Sequence, residues 1–195
     1  MYDPRVDIVQ EIQQKDDKLQ IVSLGDHCLV AKYLSLFGMR NCSYPFDWIQ
    51  ATPKMIQHCL EDDFKIYSSL QSEGFYSQFT QQEIFKHHDV ANSIAYHKRC
   101  VERFKNLSNI SQKVFCATCC SVDFETWRKI AHLLKTKYNI FCNIYIICLG
   151  CDNTDKHSSV SNIVVTHMHD IQTSNADVNE EDQKKLLAFF ISLSK

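Results

Sequence analysis

The residue of this chain best placed for nucleophilic chemistry is a cysteine at a strand–helix junction. In SLGDHC (23–28) an apolar run ends at Gly25, and Cys28 follows in the predicted first turn of a helix. Exposed backbone N–H groups and the helix dipole favour a thiolate there. Gly25 would make the tight turn, and the amides around Asp26 and His27 would form an oxyanion site. A nucleophilic thiol also needs a base within hydrogen-bond reach, usually His. HHD (87–89) offers His88 as that base. Either Asp89 or Asp47, the carboxylate between Phe46 and Trp48 in YPFDW (44–48), could orient it. The competing structural reading packs Cys28 on the sheet, makes Asp47 a turn cap and leaves His88 on a surface loop.

Other patterns carry weaker chemistry. GDH (25–27) is similar to the Gly-Asp-Ser block of serine esterases, but His27 occupies the nucleophile position. A lone Gly25 falls short of the glycine-rich phosphate fingerprints. Arg99 and Arg103 are four residues apart on one helix face, with Lys98 and Tyr96 nearby, and could bind an anionic part of a substrate. A solvated face or a buried Asp47–Arg99 pair is the plainer account. Cys116-x-x-Cys119 and Cys148-x-x-Cys151 would have to converge to hold zinc, and their separation exceeds the usual knuckle spacing. His167 and His169 of THMHD alternate on one face of a strand end. No metal and no cofactor is expected.

These residues must be positioned by an alternation of elements. Apolar, β-branched runs predict strands near 19–24, 113–118, 142–149 and 162–168. Capped amphipathic segments predict helices near 26–37, 52–62, 92–107, 123–138 and 179–194. Asp26, Thr52, Asp123 and Asn179 are the expected N-caps, Pro53 takes a first helical position, and Ile94, Val101 and Phe104 form an inner face. Residues 64–90 predict a hairpin or loop insertion, and 152–161 an exposed loop. The four glycines should each mark a turn or a helix end. The result is an α/β fold: a single three-layer domain over 19–195, with a mainly parallel sheet and helices on both faces, behind a polar N-terminal extension at 1–18.

Composition narrows the class. The 195 residues carry a net charge of −2 with 45% hydrophobic and 23% charged residues, so a dedicated nucleic-acid binder is disfavoured. No apolar run is long enough for a membrane span, and no secretory signal is visible. Ten cysteines without a framework spacing predict a cytoplasmic protein with reduced thiols, at most one pair bridged, and Cys116, Cys142 and Cys148 buried.

SLGDHC, YPFDW, F-x-H-H-D (85–89) and K-R-x-x-x-R-F (98–104), in that order, resemble the domain family described as "putative papain-like cysteine peptidase". The match runs over roughly residues 19 to 150, and SLGxxC followed by PFDW is its specific part. Two positions depart from the pattern: Cys100 stands where a second arginine is usual, and His87 replaces a proline. A papain fold splits a helical half from an antiparallel barrel, unlike the parallel sheet expected here. The resemblance implies a cysteine hydrolase with Cys28 as nucleophile, His88 as base, and a peptide or small molecule as substrate. The alternative is a non-enzymatic interaction or regulatory protein on the same scaffold, with a protein partner.

Overall fold

The computed structural model describes residues 19–25, 27–80, 83–85, 90–119, 121–149, 157–168, 171 and 177–193. The extension 1–18 and Asp26, His87, His88, Asp89, Cys151 and His169 lie outside these described residues.

The apolar runs form the strands β1 (Leu19–Ser23), β2 (Gln112–Cys119), β3 (Ile144–Leu149) and β5 (Ile163–Met168), joined by β4 (His157–Val160). The sheet order is β1-β2-β3-β5-β4, parallel except where β4 pairs antiparallel with β5. Among the described residues six helices accompany it: α1 (Leu29–Leu36), α2 (Pro53–Glu61), α3 (Ser72–Tyr76), α4 (Val90–Lys105), α5 (Phe124–Tyr138) and α6 (Glu180–Ser192). Continuous apolar strands are what a sheet covered on both faces requires. One face packs Val22, Phe115 and Ile146 beneath α2, α4 and α5 through Met55, Phe104 and Trp127. The other packs Ile21, Val114 and Ile147 beneath α1 and α6 through Leu29, Tyr33 and Phe190. This is the three-layer α/β arrangement expected from the alternation.

Because α1 and α2 cover opposite faces, the chain crosses the edge of β1 between them. Met39 still packs with the α1 face, while Tyr44 and Phe46 belong to the other. Asn41 Nδ2 donates to Gln20 Oε1 of β1 at 3.3 Å on the way round. YPFDW is therefore the turn that changes faces.

Thr52, Asp123 and Asn179 cap their helices with side-chain oxygens, as expected. Several expectations need correction. Helix α1 starts at Leu29 with Cys28 in the cap position, later than 26. Within the stretch 64–90, where a hairpin or loop insertion is expected, the described residues include the short helix α3 and a 3₁₀ turn at Ser77–Phe79, and Gly74 lies inside α3. On α4, His97 and Cys100 join Val101 and Phe104 inside, whereas Ile94 is half-buried. Part of the expected loop 152–161 is β4, an edge strand, HSSV, too short and too polar to show a period. Cys116 and Cys148 are buried, but Cys142 is half-buried. Cys148 is disulfide-bonded, while Cys28, Cys42, Cys59, Cys100, Cys116, Cys119 and Cys142 carry no disulfide.

Candidate active site

The strand–helix junction is a tight turn with a specific neighbour. Leu24 N donates to Cys116 O at 2.9 Å, which extends the β1–β2 pairing by one residue. Gly25 then takes φ +75°, and a Cβ on it would lie 2.8 Å from Ala51 Cβ and 3.1 Å from Ala51 O. Only glycine fits both the backbone region and the approach. Three residues on, Cys28 occupies the N-cap of α1 without a side-chain cap bond, half-buried against the α1–α6 layer. Its carbonyl accepts from Lys32 N at 2.8 Å. The Lys32 ammonium is paired with Asp177, which raises its pKa, and negative charge on Cys28 acts in the same direction.

Asp47 is buried and committed to the face-changing turn. Its Oδ2 accepts from Arg40 Nη2 at 2.7 Å, Arg40 Nε at 3.1 Å and Tyr44 N at 2.9 Å. Burial pushes the carboxyl pKa up, against the Arg40 charge and the Tyr44 amide. The Arg40 guanidinium also bonds Ser43 Oγ at 2.8 Å and lies 5.3 Å from the Trp48 ring centroid. The buried Asp47–Arg99 pair is thus replaced by Asp47–Arg40. Arg99 is exposed on α4, and Arg103, also exposed, donates to Ser43 O at 3.3 Å.

The segment leading into HHD is fixed beside this junction. Ile84 N and Phe85 N donate to the two Glu73 carboxylate oxygens at 2.9 and 3.1 Å. Gln50 N donates to Ile84 O at 3.1 Å, and the next residue is the Ala51 that touches Gly25. The Phe85 ring stacks on buried His97, with centroids 5.0 Å apart. Arg40 and Glu73 have no signature that sequence reasoning could read, because each acts on a segment without period. His97 left a trace, as the residue four before Val101 on the inner face of α4.

Strand geometry splits the first CxxC pair of the zinc reading, and Cys151 of the second lies outside the described residues. Side chains alternate along β2, so Cys116 faces the α1 layer and Cys119 the opposite one. Cys119, Cys148 and His167 stand abreast on β2, β3 and β5. No group of three or more His, Cys, Asp or Glu among the described residues could hold a metal ion. No helix among them is long and apolar enough to cross a membrane.

Among protein families, the one described as "Putative papain-like cysteine peptidase" matches residues 19–141. No curated protein and no solved structure matches the chain.

Proposed function

Since the chain belongs to this family, we propose that it is a cysteine-dependent hydrolase of peptidase type, with Cys28 as nucleophile and His88 as base. One observation carries the assignment. The Gly25–Ala51 contact and the Gln50–Ile84 bond hold the segment before HHD against the turn that presents Cys28. His88 follows Phe85, and Cys28 follows Gly25, by three residues, spans of at most about 10 Å each, which supports a reading that pairs the two side chains in one site. The N-terminus of α1 favours the thiolate, and so does Lys32 one helical turn along.

In this reading His88 takes the Cys28 proton, and the thiolate sulfur bonds to the acyl carbon of the substrate. The amides that follow Gly25 receive the oxyanion. His88 returns the proton to the leaving amine as the carbon–nitrogen bond breaks. Water, deprotonated by the same His, then cleaves the thioester and restores the thiol. Asp47 is held by Arg40 and Tyr44, so Asp89 is the carboxylate assigned to orient His88. Arg99 and Arg103 offer positive charge to an anionic part of the substrate.

Alkylation by iodoacetamide, followed residue by residue by mass spectrometry from pH 5 to 9, tests this. Cys42 is half-buried like Cys28 and serves as internal reference. Cys28 should react faster than Cys42 at pH 6–7, and His88→Ala should slow it without lowering the unfolding midpoint. If Cys28 reacts no faster than Cys42, and His88→Ala changes stability alone, the chain is an interaction protein on this scaffold.

A further inference from the structure

At the other end of the sheet, α5 and the strand starts line an open cavity of about 550 Å³. Helix α5 follows the carboxyl end of β2 and runs back, so its second half lies over the amino ends of β3 and β5, away from Cys28. Arg128, His132 and Lys135 line it at helical spacings of four and three, hence on one face of α5. No carboxylate among the described residues lines the cavity, in a chain whose net charge is −2. Neither Arg128 nor Lys135 forms an ion pair among the described residues, whereas the neighbouring Lys129 is neutralised by Glu125.

The opposite wall is aromatic and polar. Phe141 is 62% exposed, unusual for a ring of that size, and its centroid lies 5.7 Å from Lys135 Nζ. Asn143, Ser161 and Asn162 complete the rim, with Asn162 Nδ2 fixed on Cys142 O at 2.8 Å. Leu134 and Ile140, both fully buried, supply the apolar floor.

We propose that this cavity binds a nucleoside monophosphate. Two cations that form no ion pair among the described residues, although Arg128 also borders a groove with Glu61 and Glu125, match a phosphomonoester, which carries a charge of roughly −1.5 to −2 near neutral pH. An exposed ring beside them is a stacking surface for a base. Amide and hydroxyl groups on the same rim can meet base heteroatoms, which a phenyl phosphate does not have. The volume falls in the range of small-molecule sites, roughly 300–1,000 Å³. The site shares no residue with the Cys28 junction, so it stands or falls independently of the hydrolase reading.

Isothermal titration of the whole chain with AMP, adenosine, inorganic phosphate and phosphotyrosine tests it. AMP should bind, with adenosine and inorganic phosphate each weaker by about tenfold or more. The double variant Arg128→Ala/Lys135→Ala should weaken AMP binding by about tenfold or more, and Phe141→Ala by at least about fivefold. All three side chains are exposed, and an unchanged thermal midpoint shows that each variant is folded. Absence of AMP binding at millimolar concentration would overturn the proposal. So would AMP affinity that the variants leave intact. Inorganic phosphate or phosphotyrosine binding as tightly as AMP would overturn it too, leaving an anion site or a phosphopeptide site in its place.

Discussion

Replacing Gly25 by alanine should destabilise the fold by about 2–5 kcal/mol, from two separable causes. Holding a non-glycine residue at φ +75° costs about 1–2 kcal/mol. The new methyl would also lie 2.8 Å from Ala51 Cβ and 3.1 Å from Ala51 O, well inside ordinary contact distance. Ala51 is fully buried, and its Cβ and carbonyl are parts of the main chain's rigid frame, so they cannot swing aside. Overpacking of this kind costs about 1–3 kcal/mol. A double-mutant cycle separates the causes. Ala51→Gly removes the nearer obstacle but leaves φ and the carbonyl, so it should recover about 1–2 kcal/mol in the Gly25→Ala background. Urea unfolding of the four proteins, with a common slope, provides the numbers. A loss below about 0.5 kcal/mol for Gly25→Ala, or a cycle with no coupling, would refute the reasoning.

Two further outcomes are expected. Asp47→Ala should cost about 3–5 kcal/mol in urea unfolding, because it strands the mostly buried Arg40 and the Tyr44 amide; a loss near zero would show that Asp47 does not brace the face-changing turn. Stability should also fall on acidification below about pH 4, the ordinary aspartate range. Burial works to raise the Asp63 pKa, but the Lys105 ion pair and the Tyr138 hydroxyl outweigh it, so the net shift is downward. Hydrogen bonds from the Thr126 hydroxyl and amide lower Asp123. A carboxylate with a lowered folded pKa contributes stability above its unfolded value and loses it as pH falls through the folded one. Asp47, shifted upward, has the opposite sign: its contribution is lost as pH rises. The Asp63→Asn/Asp123→Asn double variant should therefore flatten the acid limb measured by urea unfolding between about pH 4.5 and 2.5. An unchanged slope would contradict this.

What the sequence revealed follows the physics of each element. The parallel strands were legible because burial on both faces demands uninterrupted apolar runs such as YIICL in β3. Helix starts were legible at Thr52, Asp123 and Asn179 because a cap is a local chemical event. Neither β4 nor α3 announces itself: one is a four-residue edge strand, the other five residues with Gly74 inside. The split of Cys116 and Cys119 to opposite faces follows from β2 running on to Cys119, one residue beyond the predicted 113–118, since residues three apart on a strand never share a face. Arg40 was hidden for a different reason. An ion pair closing an irregular turn depends on the path of the chain in space, and no spacing rule encodes it. Glu73 holds the Ile84 and Phe85 amides in the same unpatterned way.

The location of the candidate site has its own physical logic. In open α/β sheets, ligands gather where strand order reverses, because the connections there diverge to opposite faces and leave a crevice. Here the parallel steps β1→β2→β3→β5 all run in one direction, so those strands contain no such reversal. Divergence is produced instead within the single β1–β2 connection. Its first helix, α1, covers one face, and α2 and α4 cover the other. The crossing round the edge of β1 is closed by Arg40 and Asp47, and it returns Ala51 to within contact of Gly25. Ile84 is tied to the residue before Ala51, so Ile84 and Phe85 lie near the same edge. SLGDHC, YPFDW and F-x-H-H-D all belong to this one connection. The contact of Gly25 with Ala51 needs a residue without a side chain at position 25, so Gly25→Ala should disturb Cys28 reactivity as well as stability. Loss of stability with Cys28 alkylation unchanged would separate the turn from the site.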